Sequence, residues 1–175
     1  MKIAICGSGT ANNEIIAKKA FEIGKEIAKN NILLLTGSCH DYPNEAAKGA
    51  YSLGGKVMGI SPAKNKEEHI SKYNFPTENF NEIEYTGLGI PARNFALVKE
   101  ANAVIIISGQ TGTLNEFTIA LHYKKIIGIL KGSGGITDYI EKIAEICNKS
   151  NEKENIVYSE NPKELVELVI NNLNK

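Results

Sequence analysis

The segment from Val104 to Glu116 places the strongest constraint on how this chain can fold. Its first four residues, 104–107, are apolar and β-branched, as in a strand that is buried on both faces. A loop with two glycines and two threonines follows at 108–113, and a helix is expected to begin there with Glu116 in its first turn. This order of strand, glycine loop and helix is typical of α/β proteins that present backbone N–H groups to an anion.

Strand and helix patterns alternate along the chain. The strand patterns lie at 2–6, 32–35, 56–60, 82–85, 104–107, 126–130 and 156–158. A helix is expected from about Asn13 to Lys29, where apolar residues recur at helical spacing. The alternation predicts a single α/β domain over residues 1–175, with a doubly wound sheet of about seven mostly parallel strands and helices on both faces.

Several local features carry their own predictions. Residues 61–81 are polar and form a connection long enough to be functional or mobile. Pro91 is expected to open a helix, and Asn161 to cap the last one, with Glu164 completing a capping box. The helix after the central loop is expected to bury four side chains, which are Leu114, Phe117, Thr118 and Leu121.

Composition and charge exclude several classes of protein. Twenty basic and twenty acidic residues cancel and are interleaved, so we expect no nucleic-acid polymer and no membrane surface as a partner. The apolar runs are too short to span a bilayer, and the N-terminus enters a strand without the architecture of a signal peptide. Three scattered cysteines favour a reducing compartment over a disulfide framework, so a cytoplasmic protein is predicted.

Five loops are expected at the carboxyl ends of the strands, where open α/β sheets bind their ligands. They lie at 7–10, 36–42, 86–89, 108–113 and 131–135, and four of them contain at least two glycines. We therefore expect the ligand to contact Gly7, Ser8 and Gly9 in the first loop, and Gly37 and Ser38 in the second. For Gly7 and Gly9, a tight strand-to-helix turn without any ligand contact explains the residues about equally well.

Two common nucleotide motifs are missing. The first loop has Asn12 where a dinucleotide fingerprint has its third glycine, and Thr36-Gly37 stands where an acidic residue would bind a ribose. The pattern GxxxxGK[ST] of P-loop nucleotidases does not occur in the sequence. NAD binding and Walker-type ATP hydrolysis are therefore not supported.

The loop at 108–113 has two interpretations. Its backbone N–H groups and hydroxyls could hold a phosphate at the start of a helix, with Glu116 beside it. However, Thr113-Leu114-Asn115-Glu116 is also a T-x-x-E capping box, which would stabilise the helix by roughly 1 kcal/mol without any ligand. Taken alone, Glu116 fits either role.

Residues 108–116 resemble the P-G-G-x-G-T-x-x-E motif of the Lonely Guy (LOG) phosphoribohydrolases, which belong to a Rossmann-like superfamily that includes the molybdenum cofactor carrier proteins. Arg93 stands 23 residues before Glu116, where that family has an R-K pair. Residues 36–50 and 127–138 are more similar to the carrier branch. Four positions differ from the LOG pattern: Ser108 replaces proline, Gln110 replaces glycine, Asn94 replaces lysine, and Cys39-His40-Asp41-Tyr42 replaces Gly-Leu-Met-Gly.

The resemblance implies hydrolysis of the N-glycosidic bond of a nucleoside 5′-monophosphate, with neither a metal nor a cofactor. Glu116 and Arg93 would be the catalytic residues. The phosphate would be bound by the central loop, which comprises Gly109, Gln110, Thr111, Gly112 and Thr113. The alternative is a protein that binds or carries a nucleotide or a pterin cofactor without hydrolysing it. The resembled families also imply a homodimer or a larger homo-oligomer.

The remaining polar residues do not require a catalytic or metal-binding role. Adjacent residues on a loop do not easily converge on one metal ion, so we expect Cys39-His40-Asp41 to be an ordinary crevice loop. His69 is expected on a loop and His122 on a helix surface. Tyr42 lies beside the predicted crevice, where it could stack on a base.

Overall fold

Seven parallel strands form one sheet within the part of the chain that the structure describes. This structure is a computed structural model, and it describes residues 1–7, 13–147 and 155–175. In chain order the strands are β1 (Lys2–Gly7), β2 (Leu33–Thr36), β3 (Val57–Ser61), β4 (Glu82–Tyr85), β5 (Ala103–Ile107), β6 (Ile126–Leu130) and β7 (Ile156–Ser159). Their order in the sheet is β4-β3-β2-β1-β5-β6-β7. The predicted doubly wound α/β fold is confirmed.

Helices cover both faces of this sheet. In chain order they are α1 (Glu14–Lys29), α2 (Tyr42–Ser52), α3 (Lys66–Ser71), α4 (Gly89–Glu100), α5 (Thr111–His122), α6 (Ile140–Cys147) and α7 (Pro162–Leu173), with a 3₁₀ turn at Gly135–Asp138. Ile3 and Ile5 of β1 pack against α1, α2 and α7, whereas Ala4 and Cys6 face α4 and α5. Successive side chains of a strand point to opposite faces, so each strand must be apolar throughout to serve both layers.

The backbones of α1 and α2 are in close contact because each helix carries a glycine at their crossing. A Cβ atom added to Gly24 would lie 1.9 Å from the carbonyl oxygen of Ala46, and one added to Gly49 would lie 2.0 Å from that of Phe21. A side chain at either position would therefore push the helices apart. Gly49 of α2 and Gly24 of α1 therefore have a specific function in packing the two helices.

Several element boundaries differ from the sequence predictions. β2 and β3 lie one residue later than 32–35 and 56–60, and α4 begins at Gly89 instead of Pro91. Thr118 is exposed, so its assignment to the buried face of α5 was wrong, whereas Phe117 is fully buried as expected. Position 118 follows two buried residues, 116 and 117, and the rotation of the helix turns it towards solvent.

The connection at 61–81 contains a helix and a buried side chain, whereas the sequence predicted a polar loop. It contains α3, and its centre is His69, which is fully buried instead of lying on a loop surface. The two ring nitrogens of His69 lie 2.8 Å from Ser61 Oγ and 3.0 Å from the carbonyl oxygen of Pro76. Because a carbonyl oxygen can only accept, Nε2 carries the proton and Nδ1 accepts from the Ser61 hydroxyl. The histidine therefore links Ser61 of β3 to Pro76 in the second half of this segment.

The last helix begins as predicted. The Asn161 side chain accepts hydrogen bonds from the backbone N–H groups of Lys163 and Glu164, and Pro162 occupies the first turn. The second half of the predicted capping box is modified, because Glu164 accepts from the Ser159 hydroxyl, which itself accepts from the Asn161 N–H group. Within the described ranges, none of the helices is both long enough and apolar enough to cross a bilayer.

The crossing of α1 and α2 gives a test of the fold. We expect Gly24→Ala and Gly49→Ala each to lower the free energy of unfolding by roughly 2–3 kcal/mol, because the added methyl group overlaps a backbone carbonyl. Urea unfolding followed by circular dichroism measures this change. Gly112→Ala is the matched control, since a Cβ atom there meets nothing closer than Asn94 Nδ2 at 3.9 Å. Equal stabilities of the three variants would contradict the close crossing.

Candidate active site at the centre of the sheet

A cleft opens where the strand order changes direction, between β1 and β5. It has a volume of about 220 Å³. The residues that line it come from six segments and are Ile5, Cys6, Gly7, Gly37, Cys39, Pro43, Phe75, Ile90, Arg93, Asn94, Gly112 and Glu116. This is the place where open α/β sheets bind ligands, beyond the carboxyl ends of their strands. Gly7 at the end of β1, Gly37 in the loop after β2 and Gly112 in the first turn of α5 therefore border one cleft, whereas residues 8–10 of the first predicted loop lie outside the described residues.

Glu116 is not part of a helix cap. Helix α5 begins at Thr111, and its N-cap residue is Gln110, whose side chain makes no capping hydrogen bond. Thr113 is consequently the third helical residue and Glu116 the sixth, one and a half turns inside the helix. The capping-box interpretation is wrong, and the buried carboxylate of Glu116 needs another explanation.

Arg93 is the charged partner of Glu116. Its Nη1 atom lies 3.8 Å from Glu116 Oε1, and the two side chains are only 6% and 8% exposed. The guanidinium packs directly on Gly37, where an added Cβ atom would lie 1.7 Å from Nη1. The buried Nε atom of Arg93 has no hydrogen-bond partner among the described residues. An arginine with an unused donor beside a cleft can still bind a ligand oxygen.

Burial sets the protonation of Glu116. It raises the pKa of this carboxyl to about 7, although the positive charge of Arg93 and a hydrogen bond from the Cys6 thiol each lower it. Burial and the charge of Glu116 also keep the pKa of Cys6 well above its usual value, so the thiol remains a donor. A carboxyl group with a pKa near neutrality can exchange a proton during a reaction at physiological pH.

Hydrogen bonds with the segment after β6 hold the central loop in place. Ser108 and Gly109 have φ angles of 55° and 103°, in the left-handed region. The Ser108 N–H group donates to Ser133 Oγ at 2.8 Å, and the Gly109 carbonyl accepts from Ile136 N–H at 2.8 Å. This turn aims the first backbone N–H groups of α5, which have no partner within the helix, towards the carboxyl edge of the sheet.

A second, wider cleft adjoins the loop on its outer side. It has a volume of about 640 Å³ and lies between the start of α5 and the 3₁₀ turn. Its lining consists of Gly109, Gln110, Thr111, Leu114, Gly135, Ile136, Asp138 and Tyr139. Gly112 borders the first cleft, so the amino end of α5 separates the two spaces.

The predicted binding residues are not all brought together. Gly7, Gly37 and Gly112 line the central cleft, whereas Gly109, Gln110 and Thr111 line the second cleft. Ser38 is fully buried with its hydroxyl against Gly59, where an added Cβ atom would lie 2.0 Å away, and it does not border the cleft. Thr113 is also buried, packed against Gly109. Ser8 and Gly9 lie outside the described residues.

The second loop contains no reactive thiol. Burial raises the pKa of Cys39 to about 11, and the described residues hold no group of three side chains that could bind a metal ion. Tyr42 is 1% exposed and cannot stack on a ligand, so that prediction was wrong. His122 is exposed at the end of α5, as expected.

Three residues at the cleft were missed in the sequence. Cys6 ends the buried part of β1, and its position directly before Gly7 at the predicted strand end could have indicated its place. Asn94, next to Arg93, donates from Nδ2 to Asn115 Oδ1 at 3.2 Å and so links α4 to α5. Phe75 reaches the cleft from the segment after α3, and no local pattern signals this.

The sequence matches one known protein family over most of its length. The model of the SLOG cluster4 family matches residues 1–166. The chain belongs to the SLOG cluster4 family. An uncharacterised protein of Archaeoglobus fulgidus is 32% identical over 132 residues, which cover 75% of this chain and 80% of that protein.

More distant relatives connect the family to both predicted branches. A probable cytokinin riboside 5′-monophosphate phosphoribohydrolase of Oryza sativa subsp. japonica is 24% identical over 93% of this chain and 68% of its own length. The molybdenum cofactor carrier protein of Chlamydomonas reinhardtii has a solved structure with a TM-score of 0.80 and 25% identity, covering 99% of this chain and 98% of that one. The resemblance to the superfamily of LOG and carrier proteins is confirmed, and this SLOG protein is distantly related to both.

The contact between Gly37 and Arg93 gives a prediction about electrostatics. Gly37→Ala should displace the guanidinium from Glu116 and thereby raise the pKa of Glu116, because the Arg93 charge lowers it. Carbon-13 NMR titration of the glutamate carboxyl groups measures the change. Cys39→Ser is the control, since Cys39 lines the same cleft but does not contribute to the Glu116 pKa. An unchanged titration in Gly37→Ala would contradict the contact.

The raised pKa of Glu116 also predicts a pH-dependent stability. Between about pH 4.5 and 7 the native carboxyl holds a proton that the unfolded chain has released, so the free energy of unfolding should fall as the pH rises. The shift corresponds to about 3 kcal/mol over this window. In Glu116→Gln this contribution is absent, so its stability should fall less between pH 4.5 and 7, as measured by urea unfolding. Parallel profiles of the two proteins would show that Glu116 titrates normally.

Proposed function

We propose that the protein hydrolyses the N-glycosidic bond of a nucleoside 5′-monophosphate and releases the free base and ribose 5-phosphate. The carrying observation is the buried Arg93–Glu116 pair, which lies in the cleft that the first turn of α5 borders through Gly112. A helix N-terminus suits a phosphate, and the carboxylate suits the cationic sugar that forms when the bond breaks. The relationship to the LOG phosphoribohydrolases supports the same reaction.

Each group has a defined task in this reaction. The N–H groups of Thr111, Gly112 and Thr113 bind the 5′-phosphate, with Gln110 and Gly109 shaping the turn before them. Glu116 accepts a proton from water as that water attacks C1′, and the C1′–N bond breaks with its electron pair leaving on the base. The departing base takes up a proton from solvent, and Glu116 returns the proton that it accepted to solvent, so that the overall reaction adds water across the C1′–N bond. Arg93 orients Glu116 and contacts the ribose or the departing base.

The cleft lining described here contains a single carboxylate. Glycosidases commonly use two, one as acid and one as base. A heterocyclic base is a better leaving group than a sugar alcohol, so one carboxylate that activates water and stabilises the oxocarbenium-like sugar suffices. The pKa of about 7 places Glu116 between its two protonation states at neutral pH.

A second candidate is binding or carriage of a nucleotide or pterin cofactor without hydrolysis. The conformation of the central loop favours it. The φ angle of Ser108 is 55°, which a proline cannot adopt, so this loop does not follow the P-G-G pattern of the LOG motif. The solved carrier protein of Chlamydomonas reinhardtii has the same fold. In this candidate, Arg93 and Glu116 serve to hold the ligand and the adjoining helices.

We also propose that the protein is cytoplasmic and forms a homo-oligomer through the outer surface of α4 and α5. Large apolar side chains are exposed on and beside these helices, namely Leu88, Ile90, Phe95 and Tyr123. The rings of Phe95 and Tyr123 contact each other edge to face at 5.9 Å. The three free cysteines, Cys6, Cys39 and Cys147, suit a reducing compartment.

A panel of nucleoside 5′-monophosphates, assayed for released ribose 5-phosphate, tests the reaction. We expect turnover of at least one of them, and a loss of about 100-fold or more in kcat in Glu116→Gln, because the variant cannot accept the proton. Arg93→Ala should also lose activity. Glu84→Gln is the matched control, because Glu84 is exposed on β4 and outside the cleft.

Two results would contradict this proposal. Turnover that survives in Glu116→Gln would show that Glu116 does not activate water. If the wild-type protein hydrolyses no member of the panel but a nucleotide or molybdopterin raises its melting temperature, the binding candidate replaces the enzyme. Loss of that thermal shift in Arg93→Ala would place the bound ligand at the same cleft.

A further inference from the structure

We propose that Phe75 is a specificity-determining residue of this cleft: its ring forms the wall against which the base of the nucleotide stacks, and it favours larger bases over smaller ones. This inference rests on the proposed binding of a nucleoside monophosphate at the Arg93–Glu116 cleft. It assigns the base end of that cleft to the segment between α3 and β4. Tyr42, the aromatic residue expected there from the sequence, is buried and unavailable.

The two sides of the cleft differ in chemistry. Gly112 and Glu116 approach from α5, on the β5 side, and bring N–H groups and a carboxylate. Three apolar residues approach from the segments after β2, β3 and β4, and they are Pro43, Phe75 and Ile90. A phosphate held at α5 and a ribose at Glu116 leave the apolar side for the base. Arg93 and Asn94 also line the cleft from α4, so the apolar surface for the face of a ring lies beside polar groups that can meet its edge.

Neighbouring residues fix the ring of Phe75. The flanking backbone is anchored on both sides, because Phe75 N–H donates to the His69 carbonyl at 3.1 Å and His69 Nε2 donates to the Pro76 carbonyl at 3.0 Å. The ring meets His69 edge-on, with centroids 5.7 Å apart, and lies 5.5 Å from the tilted ring of Tyr73.

A contact from the second loop completes this support. His40 Nε2 lies 2.5 Å from the carbonyl oxygen of Asn74, and the His40 ring meets Phe75 edge-on at 6.3 Å. The loop after β2 and the segment after α3 thus hold each other at the mouth of the cleft. An aromatic wall that is fixed before the ligand arrives costs little conformational entropy on binding.

Purines are the ring class that such a wall favours. Stacking on an aromatic side chain stabilises a bound base in proportion to the overlap of the two faces, and its removal by alanine typically weakens binding by about tenfold. A fused two-ring base covers more of Phe75 than a single ring does. Pro43 and Ile90 add apolar surface beside the wall.

The experiment compares AMP with ribose 5-phosphate, which lacks the base. Their dissociation constants are measured by calorimetry in the Glu116→Gln background, so that AMP is not consumed. Phe75→Ala should weaken AMP about tenfold and ribose 5-phosphate less than twofold, and it should reduce the preference for AMP over UMP. Phe75→Trp should retain AMP binding, whereas Phe75→Leu, which keeps the apolar volume but loses the ring face, should resemble alanine.

Tyr51→Ala is the matched control, since Tyr51 is an exposed aromatic residue on α2 outside the cleft. Circular dichroism establishes that each variant is folded. Equal losses for AMP and ribose 5-phosphate in Phe75→Ala, no loss for either, wild-type affinity in Phe75→Leu, or no binding of AMP to the parent would each overturn the base wall. If only the proposed reaction is wrong, the result is different. The wild-type protein then hydrolyses no nucleotide, but the Phe75 variants still bind AMP more weakly than the parent does.

Discussion

The desolvated pair of Arg93 and Glu116 is the interaction on which the rest of the site depends. Two opposite charges that are removed from water are stable only when their mutual attraction and their hydrogen bonds offset the cost of desolvation. The strand order reverses between β1 and β5, and α4 and α5 pack side by side on the same face of the sheet, which brings the two side chains together. Gly37 leaves room for the guanidinium, and the Cys6 thiol donates to the carboxylate. Gly37 after β2 and Cys6 at the end of β1 thus stabilise this pair directly.

Much of the fold was predictable because it follows from local patterns. Strands buried on both faces are apolar throughout, and the helices between them show a regular stripe, so the alternation is visible in the sequence. The start of α5 was not predictable in this way. The T-x-x-E pattern suggested a cap at Thr113, but the cap is Gln110 and the helix begins three residues earlier, after a left-handed turn at Ser108 and Gly109. Hydrogen bonds to the loop at 133–136 hold that turn, and the sequence does not show these distant contacts.

The aromatic residues illustrate the same limit. Tyr42 was placed in the crevice because it follows a strand end, yet the first turn of α2 buries it. Phe75 lies far from any strand end in the sequence and reaches the cleft because buried His69 anchors its segment to Ser61. Position along a strand predicts which loops meet. Which side chain of a loop faces the ligand depends on packing partners that are distant in the sequence.

The turn at Ser108 also bears on how this family and the LOG enzymes diverged. Proline at position 108 would require a different φ angle and would lack the N–H group that donates to Ser133. A single substitution between the two loop forms would therefore pass through an intermediate with a strained backbone and without the N–H group that donates to Ser133 Oγ. Positions 108 and 133 should change together among homologues, and the two loop types should separate into distinct lineages instead of mixing freely.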